Sequence, residues 1–293
     1  MAIAVASVTT RNFDISGTSS TNVTLPSGTA EGDLLLIFLV YSANTNESYS
    51  FTYDGLIYND IVVTSPSSSD QQLYVGYRTA TAGDISNGYL TFNSGDNYSS
   101  SGGAIILRIT GSGGGSFIQN NDDYPVGATT TPSYDVTITP NYANSLLVFC
   151  EVDGIYNGAT TQSASNYAIA NDNPSWTEAG DIVQNDSDGA HMAVAYAVRP
   201  ETTATGNASC TLGFAKTSGG FLFAIAPSAG ADGNHSILTS TSSIFNHTIS
   251  VGTTANHTIL TQPHEIFSQN GKIEENRWTD TEKGNKSWTN QKK

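Results

Sequence analysis

The chain has 293 residues, more than one ordinary domain needs, so two domains or one large β-sandwich are the starting options. Only 13% of residues are charged, and the formal net charge is -15. Up to residue 228 there are 20 acidic against 5 basic residues, a balance of -15, whereas residues 229 to 293 hold 6 of each; the acidic part has no positive footprint for a phosphate backbone, which excludes nucleic acid as a partner.

The start, Met1-Ala2-Ile3-Ala4-Val5, has neither a basic segment nor a long apolar one, so secretion through a signal peptide is not expected. Residues 2 to 8 and 21 to 25 read as opening strands, and Pro26-Ser27-Gly28 as a turn. Gly32-Asp33 then introduces Leu34-Leu35-Leu36-Ile37-Phe38-Leu39-Val40. Seven apolar residues between turn signals are too few to cross a membrane and fit a strand buried on both faces. Further strands follow at 49 to 53, 61 to 64, 73 to 79, 89 to 92 and 104 to 109. About eight strands in roughly 110 residues suit a jelly-roll sandwich.

The same order then returns. Ser145-Leu146-Leu147-Val148-Phe149-Cys150-Glu151-Val152 echoes the apolar strand, and Val194-Ala195-Tyr196-Ala197 echoes Val75-Gly76-Tyr77-Arg78. Leu212-Gly213-Phe214 matches Leu90-Thr91-Phe92, and Gly219-Gly220-Phe221 matches Gly102-Gly103-Ala104. The fold class is therefore all-β: two tandem antiparallel sandwiches, residues 1 to 113 and 114 to 228, followed by a β-rich tail at 229 to 293. Gly111-Ser112-Gly113-Gly114-Gly115-Ser116 joins the repeats; its composition is that of a flexible linker and favours two separate bodies.

The tail differs in kind. Asn234-His235-Ser236-Ile237, Asn246-His247-Thr248-Ile249 and Asn256-His257-Thr258-Ile259 repeat one motif in which His and Ile share a strand face. Stacked about a trimer axis, His235, His247 and His257 would form imidazole rings able to hold a metal or an anion; a period-two strand with a polar face yields the same pattern, and no His-x-His pair is present. Trp278 and Trp288 stand in two Trp-Thr-Asp/Asn motifs within polar sequence, which marks them for a partner surface.

Catalytic signals are sparse. There is no Gly-x-Ser-x-Gly, P-loop or His-Glu-x-x-His, and most acids lie in turn sequences such as Asp54-Gly55 and Gly83-Asp84. Asn185-Asp186-Ser187-Asp188-Gly189 resembles the opening of a calcium loop but lacks the distal Glu, so a solvated turn accounts for it, and Asn120-Asn121-Asp122-Asp123 is weaker still. Trp176 offers a face to a sugar ring or filler to a core. Cys150 and Cys210 lack Cys-x-x-Cys spacing and read as buried free thiols rather than a disulfide. No cofactor is called for, and the chain reads as a non-enzyme.

The Leu-Pro-x-Gly turn before Gly32-Asp33-Leu34-Leu35, the Tyr-containing strand at 74 to 78 and the Gly102-Gly103 strand together resemble sandwich units of tailed-bacteriophage virion proteins. Ser287-Trp288-Thr289-Asn290-Gln291 resembles a terminal tag recurrent in such proteins. The resemblance implies a virion component made in the host cytoplasm, either a capsid decoration or head fibre or a tail appendage. Its partners would be other virion proteins and sibling chains, and for an adhesin a host-surface glycan; the repetitive β tail favours a homotrimer, and no membrane is implied. No catalytic residues carry over.

Overall fold

A computed structural model describes residues 2–14, 20–43, 49–64, 70–94, 101–115, 118–154, 162–184, 190–228, 235–238, 257–260, 276–280 and 288–292. The chain divides into a unit Met1–Ala231 and a unit Asp232–Lys293.

The first repeat supplies β1 (Ala4–Asp14), β2 (Ser20–Thr24), β3 (Leu34–Ala43), β4 (Tyr49–Phe51), β5 (Gly55–Thr64), β6 (Asp70–Thr79), β7 (Tyr89–Ser94) and β8 (Ser101–Thr110). A five-stranded sheet runs β1-β8-β3-β6-β5 and a three-stranded sheet runs β2-β7-β4. The second repeat supplies β9 (Ile118–Thr129), β10 (Ser133–Tyr134), β11 (Ser145–Gly154), β12 (Ala164–Ile169), β13 (Thr177–Val183), β14 (Ala190–Arg199), β15 (Ala208–Leu212) and β16 (Lys216–Ile225). Its sheets run β9-β16-β11-β14-β13 and β10-β15-β12, the same order shifted by eight strands. Every pairing in these four sheets is antiparallel, and the architecture is all-β with two jelly-roll-like sandwiches.

The pleat explains why β3 and β11 are apolar at nearly every position. Leu34, Leu36, Phe38 and Val40 point to one side of β3, while Leu35, Ile37, Leu39 and Tyr41 point to the other. The second set packs against the small sheet of its own sandwich, with Val23, Leu90 and Phe92. The first set meets Leu146, Val148, Cys150 and Val152 of β11. The two large sheets therefore pack face to face over a shared core, to which each repeat contributes eleven buried residues. The result is four layers, small sheet, large sheet, large sheet, small sheet, with the two β3-like strands buried on both faces.

The Gly-Ser segment does not hold two separate bodies apart. The Gly113 amide donates to the Ala226 carbonyl at 2.9 Å, the Ser228 amide to the Gly111 carbonyl at 2.7 Å, and Ser112 bridges to Pro227. A Cβ on Gly115 would lie 1.8 Å from the Tyr77 ring, so glycine serves close approach here rather than slack. Composition cannot distinguish the two uses. Side chains tie the repeats together as well: Asn120 donates to the Tyr58 hydroxyl at 3.1 Å, Gln184 donates to the carbonyls of Phe13 and Gly102, and Phe38 meets Phe223 edge-on at 5.6 Å.

One short helix, α1 (Ala82–Asn87), joins β6 to β7, although no helical period is visible in so few residues. Thr81 and Asp84 form a reciprocal capping box, and Gly88 closes the helix at φ 74°. Asp84 also receives both arms of Arg78, at 2.8 and 2.9 Å. The two cysteines are free and buried, Cys150 toward the shared core and Cys210 inside the second sandwich.

In the C-terminal unit, β17 (His235–Leu238) and β18 (His257–Leu260) pair in parallel, setting His235 opposite His257 and Ile237 opposite Ile259. β19 (Asn276–Asp280) and β20 (Trp288–Lys292) pair antiparallel, setting Trp278 opposite Asn290 and Asp280 opposite Trp288.

Candidate functional site

Along β11 the face directed into the second sandwich begins with Leu147 and Phe149, and the same period of two then delivers Glu151 and Asp153 to it. Both carboxylates are completely buried. Antiparallel register sets Asp153 opposite His191 of β14 and Glu151 between Ala193 of β14 and Gly220 of β16. Asp181 of β13 also lies opposite Ala193 and approaches from the sheet edge. Four titratable side chains from three adjacent strands thus meet at one end of a hydrophobic interior.

The geometry is convergent. His191 Nδ1 lies 3.2 Å from Glu151 Oε2 and 3.3 Å from Asp153 Oδ2, while Nε2 faces Asp181 Oδ1 at 3.9 Å. The side chains of Glu151, Asp153 and His191 have no exposure, and that of Asp181 is 21% exposed. None of these approaches is a hydrogen bond: both oxygens of Glu151, Oδ1 of Asp153 and of Asp181 and both nitrogens of His191 have no such partner. Asp153 is held by Gln162, whose amide donates at 2.6 Å to Oδ2, the oxygen that faces His191. Gln162 is itself oriented by the Phe214 amide, which donates to its Oε1 at 3.0 Å. Nearby, Tyr134 and Ser218 share a 2.7 Å hydrogen bond, and a Cβ on Gly220 would stand 2.2 Å from the Tyr134 ring.

Burial and mutual repulsion govern the electrostatics. Burial, then the neighbouring Asp153 charge, push the Glu151 carboxyl up to about 8, against the opposing pull of His191. Burial lifts Asp181 to about 6, with His191 pulling the other way. For His191 burial acts to lower the value, but the carboxylates of Asp153 and Glu151 outweigh it and raise it to about 10. Burial therefore favours the protonated form of Glu151, and the carboxylates favour the charged form of the imidazole. The group can store protons or a cation. Its burial leaves no space against Glu151 or Asp153 for an organic substrate.

The corresponding rung of the first sandwich holds different chemistry. Leu34 and Leu146 occupy matching places, paired with Ile109 and Thr79 in one repeat and with Ile225 and Val198 in the other. Seven residues on from each stand Tyr41 and Asp153, opposite Gln72 and His191 respectively. Two residues earlier stand Leu39 and Glu151, opposite Tyr74 and Ala193. The Tyr41 hydroxyl donates to Gln72 Oε1, and its ring stacks on Tyr74 at 5.7 Å. The same buried place is thus neutral in one repeat and charged in the other.

A second feature lies on the surface of the second sandwich. Ser165, Asn166, Asn173, Trp176 and Glu178 line a recess of about 400 Å³. Trp176 is half-buried, edge-on to Phe149 at 6.5 Å, and its indole N–H donates to Asn173 Oδ1 at 2.9 Å. It therefore fills core with one edge and borders the recess with the rest.

Neither feature includes a tail residue. His235 and His257 are brought opposite one another on paired strands, and Trp278 and Trp288 lie on the other strand pair; His247 is outside the described residues, as is the stretch from Asn185 to Gly189. Asn121 and Asp123 are engaged in strand crossing, Asn121 donating to the Thr137 carbonyl and Asp123 accepting from the Asp135 amide. The buried cluster escaped sequence reasoning, although a signal existed: Glu151-x-Asp153 continues an inward alternation set by Leu147 and Phe149. Comparison with protein-family models, with curated proteins and with solved structures finds no match to this chain.

Proposed function

We propose that the chain is a non-enzymatic structural protein of a bacteriophage virion, a capsid decoration, head fibre or tail-associated appendage, anchored through residues 229 to 293 and displaying the double sandwich. The observation that carries this reading is the four-layer body, in which two repeats are welded by a common hydrophobic core rather than strung on a linker. Such a body resists local opening and suits mechanical display. Its charge of -15 keeps copies from associating nonspecifically through this part, while the neutral C-terminal region is free to make short-range contacts with sibling chains, as a homotrimer, or with other virion proteins. Parallel pairing sets His235 beside His257 and Ile237 beside Ile259, so equivalent positions of the repeated motif lie side by side. Removal of residues 229 to 293 should leave a cooperatively folded body that no longer joins particles; normal incorporation of the truncated chain would overturn the anchoring role.

A second reading, a carbohydrate-binding adhesin of a tail fibre, is favoured by the Trp176 recess. An aromatic face beside amide, hydroxyl and carboxylate groups is the chemistry that recognises a pyranose. Saturable glycan-array binding by the full chain, lost in Trp176→Ala, would favour this reading over pure display.

A further inference from the structure

We infer that Glu151, Asp153 and His191 form a structural site for one divalent transition-metal ion of the zinc class, buried between β11 and β14. The inference is independent of where the protein acts. One ligand atom from each of the three residues falls within a sphere in which all lie within 4.8 Å of one another. The His191 nitrogen stands 3.2 and 3.3 Å from the two carboxylate oxygens. Bonds of about 2.0 Å to a tetrahedral centre place neighbouring ligands roughly 3.3 Å apart, so these separations are edges of such a polyhedron. As hydrogen bonds they fail, since neither His191 nitrogen has a hydrogen-bond partner and both Glu151 oxygens lack one too. Polar atoms in a dry interior otherwise find partners, and unsatisfied ones converging from three residues make a donor set for a cation.

The surroundings match what a metal centre needs. Glu151 Oε1 and Asp153 Oδ1 are also without hydrogen-bond partners, which provides a fourth donor by bidentate coordination. Asp181 faces the far nitrogen of His191, the place of the outer carboxylate that orients a metal-bound imidazole. Gln162 donates to Oδ2 of Asp153, the oxygen that also faces His191, and so fixes the orientation of that carboxylate. A divalent ion would displace the protons held by Glu151 and His191, and three carboxylates, a neutral imidazole and the ion together carry -1. Two carboxylates with one imidazole suit zinc or manganese and hold no thiolate that would select copper(I). The first sandwich supplies the contrast, for its matching rung closes a Tyr-Gln hydrogen bond and offers no ligand set.

The test uses the full chain, stripped with a chelator and titrated with Zn²⁺, Mn²⁺ and Co²⁺. Zn²⁺ or Mn²⁺ should bind at one ion per chain by elemental analysis and calorimetry, and Co²⁺ should give the intense visible bands of a low-symmetry site. Glu151→Gln and His191→Gln should each weaken binding at least 100-fold and abolish those bands, and Asp181→Asn should weaken it about 10-fold. Since a variant can fail to fold, the unaltered chain gives a second readout: saturating Zn²⁺ should raise its thermal midpoint by about 5 °C over the stripped form. No stoichiometric ion and no shift in midpoint would overturn the site and leave protons alone to balance the cluster. Binding undiminished in a folded His191→Gln chain would also overturn it, by placing the ion elsewhere.

Discussion

The two sandwiches use one strand order and one pairing register, yet at the rung seven residues into their central strands they hold opposite chemistry. Tyr41 and Gln72 close a neutral hydrogen bond there, whereas Asp153 and His191, with Glu151 alongside, concentrate charge. The neutral version shows that the scaffold has no need of charge at this place to fold. Buried ions are commonly replaceable by packed neutral groups without loss of stability, so the cluster in the second repeat is not explained by architecture.

The sharpest way to break this comparison is to remove the same rung from each repeat. His191→Leu should cost about 3 to 5 kcal/mol, since it leaves buried carboxylates uncompensated. Gln72→Leu should cost about 1 kcal/mol, the loss of one hydrogen bond, since the Tyr41 hydroxyl keeps that of Tyr74 at 3.3 Å. Urea titration measures both, and equal costs would mean that the two rungs are energetically alike. The shared core is tested next. Phe223→Ala should cost about 3 to 5 kcal/mol by truncating a ring that packs against both Phe38 and Tyr58. Its unfolding should remain a single transition reported identically by probes in either repeat; two transitions would mean the repeats are energetically independent.

A smaller effect separates the repeats at the neighbouring rung. Gly220 faces Glu151 where Ala104 faces Leu39 in the first repeat. Bringing the first repeat's residue across, as Gly220→Ala, drives a methyl into the Tyr134 ring and should cost about 1 to 3 kcal/mol. Chemical denaturation checks this, and an unchanged midpoint would show that Tyr134 has room to move.

The connections after β6 and β14 differ least in energy. The first closes with α1, capped by Asp84 beneath Arg78, and the second with Arg199, which donates to the Thr203 carbonyl and hydroxyl at 2.5 and 2.9 Å. Burial acts to raise the Asp84 carboxyl, but Arg78 and the Thr81 donors outweigh it and hold the value below the ordinary range. A group depressed in this way stabilises fully above its unfolded pKa, near 4, and that stability is lost as pH falls through the lower folded value. Asp84→Asn should therefore cost about 1 to 2 kcal/mol at neutral pH and flatten the acid limb of the stability curve below about pH 4. An acid limb identical to that of the unaltered chain would remove Asp84 from the account.

Sequence periodicity was sufficient for the all-β class, for the duplication and for the double burial of residues 34 to 40, because alternation and turn chemistry are local and repeat within a few residues. The free state of Cys150 and Cys210 was legible on the same grounds, each occupying an apolar strand position. Two things were decided only by the tertiary structure. One is that the repeats share a core, since a glycine-rich joint reads alike whether it is slack or pressed against Tyr77 and paired with Ala226. The other is the buried cluster, which draws Glu151 and Asp153, Asp181 and His191 from three stretches ten to forty residues apart along the chain. Glu151 and Asp153 are an ordinary acidic pair until antiparallel register sets His191 opposite Asp153 and burial removes the water that would otherwise solvate all three.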